Sequence, residues 1–149
     1  FIPGFSGISA PYWKPGFDDV YVDLESDPNQ IIRAGMESIG FLFNDILNCF
    51  KDSKMEIPEP LTASGGAARP ALLQFISSLV DLEVCYFDIK DRTAIGVYKI
   101  LNENSLDSDS DYKKLKSFKP KFLPYKNRKK TKWAKALINS NIKDSYSDM

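Results

Sequence analysis

The sequence contains no histidine at all. That absence excludes a Ser-His-Asp or Cys-His relay and most zinc sites built within this chain. Cysteine is scarce too, with only two. Cys49 and Cys85 each stand among apolar neighbours, which predicts buried thiols in a reducing compartment, cytoplasmic or another intracellular one, rather than a disulfide or metal pair. No apolar run reaches the length of a membrane span, and the opening Phe1-Ile2-Pro3-Gly4-Phe5 lacks the basic flank and cleavage pattern of a signal peptide. The chain also lacks an initiating methionine, and its first residues read as the inside of a domain. A piece of a longer protein is the expectation.

What is present is a 149-residue chain, 43% hydrophobic, long enough to bury a core. Its formal net charge is zero, yet the signs are segregated. Residues 1–112 hold 8 basic against 18 acidic side chains, a balance of −10, and residues 113–149 hold 12 against 2, a balance of +10. A basic run of this kind serves either nucleic acid or anionic lipid, or lies on its own acidic body. The second reading is preferred, because no groove-entering element accompanies the run.

Along the chain, the Gly/Pro/aromatic mixture of residues 1–16 forbids a regular helix and predicts a turning loop packed by Tyr12 and Trp13. That loop either lines a site or plugs the edge of a core. Val20-Tyr21-Val22-Asp23-Leu24 alternates as a strand. Asp27-Pro28 is a helix start, Asp as N-cap and Pro at the first helical position. Ile32, Met36, Ile39, Phe43, Ile46 and Phe50 then form one apolar stripe, predicted to face the core. Gly35 and Gly40 lie off the stripe and predict close approach of a neighbour, and Glu37 reads as a solvated or cap-pairing carboxylate.

Leu61-Thr62-Ala63 reads as a short buried strand leading into Ser64-Gly65-Gly66-Ala67. Adjacent glycines there serve either a tight turn or a cradle of backbone N–H groups for a polyphosphate at the next helix N-terminus. That helix carries Leu72, Phe75, Ile76, Leu79 and Val80 on one side. A strand at Val84–Phe87 follows. A helix from Asp91 comes next, with Asp91 or Thr93 as cap, Gly96 placed for close packing, and Ile95, Tyr98 and Leu101 facing inward. Residues 102–112 form an acidic linker. Residues 113–149 form a basic tail, extended from Phe118 to Pro124, with a short helix over Thr131–Leu137 anchored by Trp133. The alternation predicts an α/β fold, with ligands beyond the carboxyl ends of the strands, where the Gly-Gly turn falls.

Five separated segments, in order, resemble one family, the FGGY carbohydrate kinases, and within it the glycerol kinases. They are Phe5 to Trp13, Ile31 to Ile39, Gly65-Gly66-Ala67 with Leu73-Gln74-Phe75, Thr93-Ala94-Ile95-Gly96, and Phe118-Lys119-Pro120 with Lys132-Trp133-Ala134-Lys135-Ala136. The resemblance implies an actin-like, ribonuclease-H-like ATPase domain with a mixed sheet flanked by helices, occupying residues 1–101. It implies the carboxyl-terminal, nucleotide-side part of an ATP-dependent kinase that phosphorylates a polyol such as glycerol. Mg-ATP is the implied cofactor and an N-terminal kinase domain the implied partner, in a homo-oligomer or a larger assembly.

The implied nucleotide-binding residues are Ser64, Gly65, Gly66 and Ala67. No catalytic base and no metal ligand is implied in this stretch, because the family's own lie upstream of it. The chain departs from the pattern at three places. Ser64 replaces the family's Asp, the Asn that helps hold the adenine side either aligns with Pro70 or falls in a one-residue gap, and the Gly- and Arg-bearing turn after the first strand is replaced by the shorter Asp23-Leu24-Glu25-Ser26-Asp27. The alternative reading is a catalytically degenerate relative acting as a structural or regulatory subunit.

Overall fold

The structure is a computed structural model of the 149-residue chain. It describes all residues except 5, 17, 24–26, 88–90, 102–113 and 143–149. The acidic linker expected over 102–112 lies outside the described residues. The chain divides into two compact units, one of Phe1–Ile57 with Phe122–Met149 and one of Pro58–Lys121.

The first unit opens with two short antiparallel strands, β1 (Gly7–Ile8) and β2 (Lys14–Pro15). Gly7 has φ +134°, and a Cβ there would lie 2.6 Å from the Lys14 carbonyl oxygen, so both backbone conformation and crowding require glycine. Of the strand expected over Val20–Leu24, the described residues 20–23 form none. Val20 makes only an isolated bridge to Ile2, and beside it the Asp19 carboxylate accepts from the Gly4 amide at 2.6 Å.

Helix α1 (Pro28–Asp52) begins as expected, with the Asp27 carboxylate accepting from the Asn29 amide at 3.0 Å. Its burial does not follow the expected stripe. The buried positions are Ser38, Gly40, Phe41, Asn44 and Leu47, whereas Ile32, Ile39 and Phe50 are exposed and Met36, Phe43 and Ile46 half-buried. The chain therefore packs the more polar side of α1. Gly35 has no neighbour within 4 Å of a Cβ position, so it serves no close approach.

What α1 packs against is helix α4 (Lys126–Asn139), longer than the predicted Thr131–Leu137. Trp133 is its anchor. Its ring stacks on Phe41 with centroids 5.4 Å apart, and its indole N–H donates to Asp45 Oδ2 at 2.7 Å. The Tyr12 hydroxyl donates to the same oxygen at 2.9 Å. Of the two rings expected to pack the first loop, Tyr12 does so and Trp13 does not, being 73% exposed. Lys129 pairs with Glu37 at 2.5 and 2.7 Å, and Lys132 pairs with Asp23 at 3.0 Å. Lys129 and Lys132 of the basic segment thus lie on acids of their own chain, and Glu37 is a partly buried ion-pair member rather than a solvated carboxylate.

Burial first, and then the adjacent Asp45 carboxylate, push the Tyr12 hydroxyl above its ordinary pKa of 10.0. Above that pH the unfolded chain releases the proton while the folded chain retains it, so unfolding gains ground. The urea midpoint is expected to fall as pH is raised from about 9 to about 11, and Tyr12→Phe is expected to flatten that dependence.

The second unit is built on a three-stranded mixed sheet in the order β3 (Leu61–Ala63), β4 (Val84–Phe87), β5 (Lys114–Phe118), with β3 parallel and β5 antiparallel to β4. Helix α2 (Pro70–Val80) connects β3 to β4. Leu61, Leu72, Leu73, Ile76, Leu79, Val84, Cys85 and Phe118 form its core. Ser77, fully buried, has its hydroxyl oxygen 2.8 Å from the carbonyls of both Leu82 and Phe118, which share its single proton, and this ties α2 to β5. The two cysteines differ: Cys85 is buried as expected, but Cys49, near the end of α1, is exposed.

Helix α3 (Arg92–Leu101) forms where predicted, but Tyr98 and Leu101, expected to face inward, are exposed, together with Val97 and Ile100. A Cβ at Gly96 would meet nothing within 4 Å, so that glycine is not a packing contact.

Candidate functional site

The Gly-Gly stretch lies between β3 and α2. Leu61, buried and held by its amide to the Glu83 carbonyl at 2.8 Å, fixes the start of β3. Two residues later the strand ends, and Gly65 takes φ +95°, a conformation that side-chain-bearing residues rarely adopt. The turn closes through the amide of Ala68 to the Gly65 carbonyl at 3.1 Å and that of Arg69 to the Ala67 carbonyl at 2.8 Å. Arg69 is extended, as the residue before a proline must be, and Pro70 is the first residue of α2.

Those two bonds leave the amides of Gly65, Gly66 and Ala67 outside the turn's own bonding. All three residues are exposed, with Ser64 and Ala68 half-buried on either side. The N-terminus of α2 behind them has no side-chain cap. Backbone donors and an uncapped helix start on one short loop suit an oxyanion of a phosphate group. The structure therefore brings Ser64, Gly65, Gly66 and Ala67 together on one turn at the carboxyl end of a strand.

The second glycine is the more informative of the pair. Gly65 is required by its φ, but Gly66 has neither positive φ nor a neighbour within 4 Å of a Cβ position. Nothing among the described residues demands glycine there. A ligand approaching the backbone closely would.

The departures from the family pattern also acquire a structure. Pro70 sits where a missing N–H costs α2 nothing, so the helix start is preserved. Of the acids that replace the family's Gly- and Arg-bearing turn, Asp27 is used as the cap of α1 and Asp23 by Lys132; Glu25 lies outside the described residues.

One feature of the turn escaped the sequence reading. Arg69 is exposed at the N-cap of α2. A cation opposes the helix dipole at that end, which favours an anion beside it. The only signal was its position, between the glycine pair and a proline.

The first unit holds a separate cavity of about 150 Å³, lined by Phe1, Ile2, Ala34, Phe41, Trp133 and Ala136 among others, with Glu37, Lys129 and Lys132 at its polar side. None of the turn residues lines it.

Residues 1–101 match the family described as the FGGY family of carbohydrate kinases, C-terminal domain. Relatives include a glycerol kinase of Shewanella halifaxensis, 37% identical over 98 residues, which are 64% of this chain and 20% of that protein. A glycerol kinase of Shewanella woodyi is 32% identical over 128 residues, 83% of this chain and 26% of that protein. The chain thus spans about a fifth to a quarter of the length of these relatives. Among solved structures, glycerol kinase of Plasmodium falciparum with ADP superposes with TM-score 0.73 and 26% identity, over 96% of this chain and 31% of that one. A xylulose-type kinase of Brucella ovis, 19% identical, shares the fold at TM-score 0.77, over 94% of this chain and 32% of that one.

Proposed function

Because the chain belongs to the FGGY family of carbohydrate kinases, with the actin-like ATPase fold of that family, we propose that it is the nucleotide-side part of an ATP-dependent polyol kinase acting on glycerol. The observation that carries this reading is the exposed turn at Gly65, Gly66 and Ala67, whose amides are outside the turn's own bonding at the start of α2. Glycerol is the substrate favoured by the glycerol kinases among the relatives.

In this reading Mg-ATP supplies the γ-phosphoryl group, and the magnesium ion arrives with it as part of the substrate. The chain's own share of the work is positioning. The amides of Gly65, Gly66 and Ala67 hold phosphate oxygens, and the bare Cα of Gly66 lets the nucleotide lie against the backbone. No residue of this chain takes the proton of the substrate hydroxyl. That carboxylate, and the groups that select the polyol, belong to the preceding part of the kinase. A cleft with one wall does not exclude water, so the isolated 149 residues are expected to form no glycerol phosphate.

A second reading, a structural or regulatory subunit derived from such a kinase, rests on Ser64 in place of the family's Asp and on the missing Arg-bearing turn. A chimera separates the two, with this chain replacing the matching carboxyl-terminal stretch of the Shewanella halifaxensis glycerol kinase. ATP-dependent glycerol phosphorylation, with ATP binding seen by calorimetry, is the expected result. A chimera that folds and still binds glycerol but shows no heat with ATP would decide for the subunit.

A further inference from the structure

Helices α1 and α4 bound a groove of about 200 Å³ within the first unit. Asn44, Asp45 and Asn48 line it from α1, and Lys130, Ala134 and Leu137 from α4. Residues 44 and 48 are four apart, and 130, 134 and 137 are four and then three apart, so each set keeps to one side of its helix. Both walls therefore come from this chain. The polar groups along the groove have bonding capacity left over. Asp45 Oδ2 accepts from the Tyr12 hydroxyl and the Trp133 indole N–H. The other carboxylate oxygen, Oδ1, receives the Asn44 amide at a long 3.4 Å, although such an oxygen accommodates two donors. Asn44 is only 8% exposed, yet its carbonyl oxygen accepts nothing among the described residues. No side-chain nitrogen or oxygen shut off from solvent there lacks a partner, so that oxygen opens on the groove that Asn44 lines. Asn48, exposed, adds a second carboxamide with no partner among the described residues.

We propose that this groove binds a small neutral polyol, held by Asp45 Oδ1 and the carboxamides of Asn44 and Asn48. A hydroxyl both donates and accepts, which suits a carboxylate oxygen beside two carboxamides, and the polyol's C–H groups suit the apolar floor of Phe41, Trp133 and Leu137. Other ligand classes fit worse. An oxyanion would meet the Asp45 carboxylate. A purely apolar molecule would leave the buried Asn44 carbonyl unpaired. A metal ion would find one carboxylate, and no group of three His, Cys, Asp or Glu side chains gathers among the described residues. The space of about 200 Å³ equals about seven waters at roughly 30 Å³ each, room for a polyol of four or five carbons. The proposal uses neither the glycine turn nor ATP, so it stands or falls apart from the phosphoryl-transfer reading.

Trp133 lines the groove and reports on it. The chain has two tryptophans, so fluorotryptophan labelling gives two fluorine NMR signals, and Trp133→Phe tells which is which. Titration with xylitol is expected to move the Trp133 signal along a saturating curve with a Kd of about 1–10 mM, the strength available to a ligand of this size. The Trp13 signal, from a side chain 73% exposed, is expected to follow only the straight line of a bulk solvent effect. Asn48→Leu, at an exposed position, is expected to keep the urea midpoint and weaken xylitol binding at least about fivefold. Ala134→Leu, which fills the groove, is expected to abolish the saturating shift.

A Trp133 shift that climbs in a straight line with xylitol, as that of Trp13 does, overturns the proposal, because it shows a solvent effect and no site. Saturation that survives Asn48→Leu unweakened places the polyol elsewhere and overturns it too. Saturation with inorganic phosphate but not with xylitol makes the groove an anion site and has the same force. Should Ala134→Leu not fold, Asn48→Leu alone decides, since its side chain is at the surface and its urea midpoint shows whether the fold is kept.

Discussion

Trp133→Ala is expected to lower the stability of the unit that holds α1 and α4 by about 3–5 kcal/mol, the range for truncating a large buried aromatic. Three separate losses combine there. The side chain is 7% exposed, so its removal leaves a hole at the seam between the two helices. The stack on Phe41 at 5.4 Å disappears. Asp45 Oδ2 loses the indole donor at 2.7 Å and keeps only the Tyr12 hydroxyl among the bonds described for that oxygen.

Trp133→Phe separates these losses. It keeps most of the ring and the stack and removes the N–H, and is expected to cost about 1–3 kcal/mol, the price of leaving an acceptor short of a donor. Urea unfolding followed by far-ultraviolet circular dichroism reads both variants. Fluorescence is the poorer probe, since Trp13 remains and is largely exposed. A loss below about 1 kcal/mol for the alanine variant would mean that α4 is held by its ion pairs, which at surface sites contribute little.

Gly66→Val is expected to leave stability within about 0.5 kcal/mol of the parent chain and to weaken ATP binding in the chimera by about 10- to 100-fold. The first half follows from the structure: a Cβ at Gly66 meets nothing within 4 Å, and its φ is not positive. The second half follows from the proposed role, since a branched side chain would occupy the space where a phosphate meets the backbone. Gly65→Ala makes the contrast. At φ +95° it is strained whatever the space, and is expected to cost about 1–2 kcal/mol of stability as well as affinity. Calorimetric titration with ATP, paired with a denaturation curve for each variant, separates the two effects. An unchanged ATP affinity in a folded Gly66→Val chimera would remove the turn from the nucleotide site.

Much of the local structure was legible from short-range chemistry. Asp27-Pro28 starts α1, Pro70 starts α2, and the β-rich Val84–Phe87 is a strand, because caps, a fixed proline φ and strand preference act within a few residues. The core side of α2 was readable in part: Leu72, Ile76 and Leu79 are buried as the spacing predicts, whereas Phe75 and Val80 are half-buried and Leu73, outside the predicted set, is buried. Val20–Leu24 misled because alternation over five residues is weak evidence for a strand, and among the described residues only Val20 finds a bridging partner, Ile2. Trp13 and Cys49 misled because an apolar side chain, or an apolar neighbourhood in sequence, does not fix which way a residue points.

What the sequence by itself determined is the family, the helix starts, and the glycine-rich turn that Gly65 could form only with φ > 0. These depend on residues adjacent in the chain, or on segments matched in order. What only the tertiary structure decided is which side of α1 is covered, and by what. A helical stripe of six apolar residues says which side of the helix is apolar, not which side this chain covers. The choice was made by Asp45, which gathers Tyr12 from 33 residues before it and Trp133 from 88 residues after it onto a single carboxylate oxygen. Hydrogen bonds across such separations leave no period in the sequence, and they turned the polar side of α1 inward.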